Sequence, residues 1–177
     1  MTKERMLAAL EDLGKKLDAK GLKGKIVMAG GASMCLVHGA RPQTHDIDAL
    51  YGQKDELEAA AAEIAETRGW PLDWLNDGIA GFLTFEPPVD FFMDLPGLTV
   101  YTVAPECLLA MKLSAARLTE NFGKDIDDAH FLGRLMGYTS PEQFLETYGK
   151  FFKDEPLSDD GHFIIDSFFE APSEILE

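Results

Sequence analysis

The chain has 177 residues, of which 46% are hydrophobic and 27% are charged, a composition typical of one globular domain or of one domain with a helical annex. Its 31 acidic side chains outnumber its 16 basic ones, so the net charge is −15 at neutral pH. That excess excludes a uniformly basic surface for nucleic acid, although a local basic groove is compatible with it.

The cysteines and the distribution of apolar residues indicate the compartment. Cys35 and Cys107 both lie in apolar surroundings, and no CxxC pair is present. The N-terminal residues lack the apolar stretch of a signal peptide, and no run of about 18 apolar residues occurs. We therefore expect a cytoplasmic protein with reduced cysteines and no membrane span.

The first third of the chain predicts a helix, two strands around a glycine turn, and a second helix. Thr2 is a suitable cap for a helix over residues 3–19, whose apolar side chains recur at helical spacing. Residues 26–50 begin as an apolar run, break at two glycines, continue as a short helix and end in a second apolar run. Residues 54–68 have the composition of a strong helix.

The second apolar run carries two carboxylates. Because side chains alternate along a strand, Asp46 and Asp48 project to one side, and we expect Ile47 and Leu50 to face the core. Two carboxylates about 4 Å apart repel by roughly 4 kcal/mol at an effective dielectric near 20. A divalent cation relieves that repulsion, and Mg²⁺ or Mn²⁺ suits oxygen ligands combined with substrate phosphates. Asp46 and Asp48 are therefore candidate metal ligands.

The glycine turn is a candidate phosphate site. Gly30 and Gly31 have no Cβ, so a phosphate can approach their backbone. The helix that follows directs free N–H groups and about half a unit of positive charge at such an anion. Ser33 lies two residues further on and is a third candidate contact. A metal-holding strand beside this turn predicts a nucleoside triphosphate site, whereas the spacing of a dinucleotide fingerprint or of a Walker motif is absent.

At these residues the chain resembles the nucleotidyltransferase superfamily of the DNA polymerase β type, whose signature is a Gly-Ser or Gly-Gly turn followed by an Asp-x-Asp strand. It is more similar still to small bacterial nucleotidyltransferase-like proteins grouped with abortive-infection and toxin–antitoxin systems. Their pattern of Gly-Gly, a short helix, an Arg and Thr-x-Asp-Ile-Asp is matched by Gly30-Gly31, Arg41 and residues 44–48. The resemblance implies an α+β nucleotidyltransferase fold, a small mixed sheet flanked by helices.

The middle of the chain predicts three short strands, at residues 79–85, 89–93 and 98–102. Asp90 interrupts an apolar run, and a buried carboxylate is costly unless something pairs with it. The resemblance implies a third carboxylate on a strand beside the Asp-x-Asp strand, so Asp90 is the candidate third metal ligand and catalytic carboxylate. Asp94 has the same parity and is the alternative, although it is also explained as a turn residue, and neither of them need act.

The remainder predicts helices, at residues 105–118, 125–136, from Pro141 and at 162–169, with Ser140 as a cap. We therefore divide the chain into a nucleotidyltransferase-like core, residues 1–103, and a helical annex, residues 104–177, that together form one compact unit.

Charged residues of the annex have two interpretations. Lys112 and Arg117 either extend to solvent or meet triphosphate charge. The segments 112–117 and 124–128 are similar to a Lys-x-x-Ala-Arg and Lys-Asp-x-x-Asp pair in the same bacterial proteins, which implies that Asp128 or Asp125 closes over the nucleotide. Alternatively, these acidic side chains stabilise a helix N-terminus by about 0.3–1 kcal/mol.

Two functions follow from the resemblance. The first is metal-dependent transfer of a nucleoside monophosphate from a nucleoside triphosphate to an RNA end or a protein hydroxyl, with Asp46, Asp48 and Asp90 as catalytic residues. The second is a catalytically inactive binding or regulatory protein of a toxin–antitoxin-like system, which acts through a protein partner.

Overall fold

A computed structural model describes residues 1–116 and 122–170. The chain divides into two compact units, Met1–Ala104 and Pro105–Glu177. None of the helices in the described ranges has both the length and the hydropathy needed to cross a bilayer.

The first unit is built on a five-stranded mixed sheet. β1 (Gly24–Met28) pairs antiparallel with β2 (Ile47–Tyr51) and parallel with β5 (Leu98–Val103). β3 (Leu75–Asn76) adds parallel to β2, and β4 (Val89–Leu95) pairs antiparallel with β5. This arrangement confirms the predicted α+β class, a mixed sheet flanked by helices. Across the sheet the strands are β3, β2, β1, β5 and β4.

One face of the sheet packs against the helices and forms the core. Register places Met28 beside Ala49 on one side and beside Thr102 on the other, and paired residues in neighbouring strands point the same way. All three are nearly inaccessible to solvent. We call this side the core face; its other members include Ile26, Ile47, Leu98 and Val100.

The opposite side of the sheet carries the predicted metal ligand Asp48. We call it the carboxylate face, and register assigns to it Val27, Asp48, Leu50, Phe91 and Tyr101. The prediction that Leu50 faces the core is wrong, because Leu50 lies two residues after Asp48 and the alternation of side chains gives both the same direction.

Two long helices cover the core face. They are α1 (Lys3–Ala19) and α3 (Lys54–Arg68), both with the predicted bounds. The Thr2 hydroxyl accepts a hydrogen bond from the backbone N–H of Arg5 and caps α1, as expected. Between β1 and β2 the chain forms a short helix, α2 (Gly30–Ala32), which continues into one turn of π-helix, Ser33–Val37.

The edge of the sheet beside β2 differs from the prediction. Residues 79–85 form no strand; they begin within a 3₁₀ turn, Gly78–Gly81, and the strand next to β2 is β3 instead. The anchor of that edge is Trp74, whose carbonyl accepts the N–H of Ile47 at 2.7 Å and whose indole donates to the Ala61 carbonyl at 3.0 Å. The buried Trp74 thus fixes the segment that pairs with β2, and the apolar residues 79–85 that follow do not form the predicted strand.

The second unit is helical. Its helices are α4 (Pro105–Ala115), α5 (Phe122–Leu135), α6 (Pro141–Phe151) and α7 (Asp159–Phe169). Ser140 and Gln143 form a capping box at the start of α6, which confirms the predicted cap. The last helix begins earlier than expected, because the Ser158 hydroxyl accepts the Gly161 N–H at 3.1 Å and caps it.

Both cysteines are free and buried, as predicted. Burial raises the pKa of the Cys35 thiol and raises that of Cys107 to about 12. Their thiols are therefore protonated and poorly nucleophilic at neutral pH.

Candidate functional site

The glycine turn and the carboxylate of Asp48 are in direct contact. Gly30 has a φ of 53°, in the left-handed region that favours glycine. A Cβ at Gly30 would lie 3.0 Å from Asp48 Oδ2, so the carboxylate packs against the bare backbone of the turn. The Ala29 N–H donates to the Asp48 carbonyl at 2.9 Å and fixes the end of β1 to β2. The predicted anion turn and metal strand therefore form one local structure.

The second glycine accommodates two side chains of the loop before β2. A Cβ at Gly31 would overlap the Thr44 hydroxyl and would lie 3.4 Å from Arg41 Nη1. Gly31 is thus required for the packing of the loop. Arg41 and Thr44 belong to the motif that carries the family resemblance, but their position against the glycine turn could not be read from the sequence.

Asn76 holds the other carboxylate of the pair. Its Nδ2 donates to Asp46 Oδ2 at 3.2 Å, while its Oδ1 accepts the Gly78 N–H at 2.9 Å, which sets the orientation of the amide. Asn76 also pairs with Asp48 in the β2–β3 register, so all three side chains gather on the carboxylate face. Asn76 was not among the residues predicted for the site; its only signal in the sequence is the turn sequence Asn-Asp-Gly.

The donor atoms gathered here suit a hard cation. Asp46 and Asp48 supply carboxylate oxygens, the Thr44 hydroxyl lies against the glycine turn, and Asn76 holds Asp46 through its Nδ2. Mg²⁺ commonly takes one or two carboxylates and completes its shell with water and substrate phosphates. The two carboxylates therefore fit the ligand chemistry of Mg²⁺. Within residues 1–116 and 122–170, no group of three or more His, Cys, Asp or Glu side chains is arranged to hold a metal.

Asp90 does not join the Asp46–Asp48 pair. It pairs with Thr102 in the β4–β5 register, and Thr102 pairs with Met28, so Asp90 points to the core face, on the other side of the sheet from Asp48. There its charge acts on His38. Burial lowers the pKa of His38, and the negative charge of Asp90 acts in the opposite direction. The expected convergence of three carboxylates is therefore not found. In the register of the sheet Asp90 aligns with Ala49 rather than with Asp48, and adjacent residues of a strand project to opposite faces.

The alternative carboxylate, Asp94, points to the carboxylate face. A bulge between Phe91 and Met93 changes the parity of β4, so Asp94 and Asp90 do not face the same way as predicted. Lys23 Nζ lies 2.8 Å from Asp94 Oδ1, and the Thr99 hydroxyl donates to the same oxygen at 2.7 Å. These two contacts lower the pKa of Asp94 and occupy its carboxylate.

Ser33 has a structural contact. Its hydroxyl is buried and accepts a hydrogen bond from the Thr102 hydroxyl at 2.8 Å, which connects the π-helical turn to β5 beneath the core face. The Ser33 hydroxyl lies inside the core rather than at the surface of the turn, so it is not placed to make the predicted contact with a triphosphate.

The charged residues predicted in the annex form a cluster of their own. Lys112 Nζ lies 2.9 Å from Asp125 Oδ1 and 2.9 Å from Asp128 Oδ2. The three side chains are 15%, 21% and 3% exposed, respectively. Lys112 therefore neither extends freely to solvent nor offers an uncompensated charge within its unit. Arg117 lies outside the described residues.

Comparison with known proteins supports the class of this site. The family described as "Nucleotidyltransferase of unknown function (DUF6036)" matches residues 4–136, a span that includes the glycine turn, both carboxylates and Lys112. No curated protein and no solved structure was found to match the chain. The family match covers most of the sequence, and the chain therefore belongs to this family of nucleotidyltransferases of unknown function.

Proposed function

We propose that the chain transfers a nucleoside monophosphate from a nucleoside triphosphate to an acceptor hydroxyl, with Mg²⁺ as cofactor. The observation that carries this proposal is the packing of Asp48 against Gly30, with Asp46 held beside it by Asn76. Membership of a nucleotidyltransferase family supports the reaction class.

The residues of the first unit have distinct roles in this proposal. Asp46 and Asp48 would hold the metal, which, when bound, supplies positive charge to the oxygens of the reacting phosphate and the leaving group. Gly30 and Gly31 let Asp48, Thr44 and Arg41 lie against the backbone of the turn at which the phosphates would bind. Arg41, whose guanidinium lies beside Gly31, is the cation of the first unit best placed to contact the triphosphate, since a guanidinium binds phosphate oxygens in pairs.

The reaction itself is a displacement at phosphorus. The acceptor hydroxyl oxygen forms a bond to the α-phosphorus, the bond from that phosphorus to the bridging oxygen breaks, and pyrophosphate leaves with the electron pair. The proton of the hydroxyl passes to water, since Asp90, the expected base, lies on the other face of the sheet. The work of the protein is thus to position and to neutralise charge.

A second function rests on the position of Asp90. A nucleotidyltransferase fold with two carboxylates on one face and the third on the other is suited to bind a metal nucleotide without turnover. In that case the chain is a binding or regulatory protein in a toxin–antitoxin-like system, and a protein partner reads the bound state.

The decisive experiment measures binding and transfer separately. Calorimetry with each nucleoside triphosphate and Mg²⁺ reports binding, and incubation of labelled triphosphate with a cell extract reports transfer to RNA or protein. We expect Asp46→Asn/Asp48→Asn to reduce transfer by about a thousandfold, because metal charge contributes several kcal/mol to the transition state.

The matched control is Asp94→Asn, which removes a carboxylate from the same face at a residue held by Lys23 and should leave transfer unchanged. Binding without transfer would support the regulatory function instead. If wild-type protein neither binds a metal nucleotide nor transfers label, both forms of the proposal fail.

A further inference from the structure

The carboxylate face carries an exposed aromatic group. Phe91, on the edge strand β4, is 63% exposed, the largest exposure of any aromatic side chain among the exposed large hydrophobic residues of the described chain. Its ring meets that of Tyr101 edge to face, with centroids 5.9 Å apart. Lys25 Nζ lies over the Tyr101 ring, 4.6 Å from its centroid. Phe91 thus exposes an aromatic side chain beside a tyrosine ring that carries a lysine over it.

We propose that Phe91 and Tyr101, with Lys25, form a stacking platform for a base of a single-stranded nucleic-acid acceptor. This inference rests on the proposed nucleotidyl transfer and names its acceptor class. Aromatic rings on the surface of a sheet stack unpaired bases with little sequence preference, and a nearby lysine contacts the phosphate backbone.

The position of the platform favours an acceptor strand over the nucleoside triphosphate. Phe91, Tyr101, Val27 and Leu50 form one row across the carboxylate face, and Asp48 lies two residues before Leu50 on β2. Three strand spacings separate β2 from β4, about 14 Å. This exceeds the separation of base and α-phosphate in one nucleotide, so a base on Phe91 belongs to a residue further along a strand whose end reaches Asp48.

The charge of the molecule sets the size of the ligand. A chain of net charge −15 repels a long polyanion, so binding by many phosphate contacts is unfavourable. Near the platform, however, the carboxylate of Asp94 is held by Lys23, and Lys25 adds a positive charge. The site therefore suits one or two nucleotides of a single-stranded end, bound mainly by stacking.

The test uses the full chain and a 5′-fluorescein-labelled adenosine trinucleotide, with fluorescence anisotropy as the readout. We expect Phe91→Ala to weaken binding by about tenfold, which is the scale of one base–aromatic stack. Phe91→Trp should retain the affinity and report binding through quenching of its own fluorescence. The matched control is Phe163→Ala, which removes a 53% exposed phenylalanine from the helical unit and should leave RNA binding unchanged.

Three results would overturn the proposal. The first is RNA binding that Phe91→Ala leaves unchanged. The second is loss of ATP binding in Phe91→Ala without any RNA binding by the wild type, which would assign the platform to the donor base. The third is self-association, measured by sedimentation, that Phe91→Ala abolishes while no RNA binds, which would make the edge strand a protein interface.

The outcome is separable from that of the proposed function. Mg²⁺-dependent triphosphate binding is measured with the same variants, and Phe91→Ala should leave it intact while Asp46→Asn/Asp48→Asn removes it. RNA binding that depends on Phe91 in a protein that binds no triphosphate would support the platform and exclude the transferase.

Discussion

Each unit of the chain contains two clustered aspartates, and the two clusters differ in what neutralises their charge. In the helical unit Lys112 bridges Asp125 and Asp128, and the group is largely buried. In the sheet unit Asp46 and Asp48 are half-buried, and Asp46 accepts a hydrogen bond from the neutral amide of Asn76. Charge compensation inside the fold is a structural device, whereas a partly exposed carboxylate held by a neutral amide, as Asp46 is, is suited to an external cation.

The difference also separates stability from function. Burying an ion pair costs desolvation energy, which the attraction between the two charges offsets. Removing one partner leaves the other charge buried without compensation and is therefore strongly destabilising. Removing the charge of a carboxylate at the surface changes the free energy of unfolding little, because water solvates that charge in the folded and the unfolded chain. Substitutions in the helical cluster should therefore act on folding, and those at Asp46 and its neighbours should act on ligand binding.

The largest effect on stability is expected at Lys112. Lys112→Met leaves Asp125 and Asp128 without their shared cation, and we expect the free energy of unfolding in urea to fall by roughly 3 kcal/mol. Lys54→Met, which breaks a surface ion pair with Asp77, should lower it far less, because water and salt screen an exposed pair. Equal losses in the two variants would remove the distinction between the clusters.

An intermediate effect is expected at the glycine turn. Gly31→Ala places a methyl group in contact with the Thr44 hydroxyl, so we expect a loss of about 1–3 kcal/mol in unfolding free energy, as for other overpacked sites. Loss of Mg²⁺-dependent triphosphate binding should accompany it. Gly52→Ala, where nothing lies within 4 Å of the added Cβ, is the control and should change stability by about 0.5 kcal/mol at most. Intact nucleotide binding in Gly31→Ala would show that the loop relaxes without consequence for the site.

Asn76 tests the sheet cluster alone. Asn76→Ala removes the hydrogen bond that orients Asp46, and we expect metal affinity in calorimetry to fall by about 10- to 100-fold, as for other residues that position metal ligands. Thr99→Ala removes a comparable hydrogen bond to Asp94 on the same face and should leave metal affinity unchanged. An equal effect of both substitutions would mean that general loosening of the sheet, rather than orientation of Asp46, is responsible.

The smallest effect is a pH dependence from His38. Burial lowers the pKa of His38 below its ordinary 6.5, with Asp90 acting in the opposite direction, so the unfolded chain binds this proton more tightly than the folded chain does. The contribution is fully present above pH 6.5 and is lost as the pH falls from there through the folded-state pKa. Urea unfolding at pH 8 and pH 5.5 should show a smaller loss in His38→Gln than in the wild type.

The control for this pH effect is His162→Gln, at an exposed histidine of the helical unit. It should leave the pH-dependent loss of stability the same as in the wild type. A wild-type stability that does not change between the two pH values would contradict the prediction.

The sequence predicted the elements whose signals are local. The bounds of α1 and α3 follow from a Thr2 cap and from a run of strong helix formers, and the capping box of α6 follows from Ser140 and Gln143. The position of Asp48 beside Gly30 also followed from a motif, since the turn and the strand are close in sequence.

What the sequence could not predict depends on contacts between distant segments. The register of β4 with β5 decides the face on which Asp90 lies. A bulge between Phe91 and Met93 decides the direction of Asp94, and no residue type in the sequence indicates that bulge. Asn76 lies in the site because Trp74 holds the turn-rich segment beside β2. That segment therefore forms an edge strand of the sheet. Each of these outcomes is set by pairing partners rather than by local propensity.

The parallel pairing of β1 with β5 has a consequence for how the protein folds. β1 and β2 are neighbours along the chain and bring Gly30 and Asp48 together early, but the other side of β1 stays unpaired until β5, the last strand, is in place. Non-local parallel pairing is slow, because a long loop must close before its contacts form. We therefore expect the Gly30–Asp48 contact to form more readily than the β1–β5 pairing, which brings the Thr102 hydroxyl to Ser33.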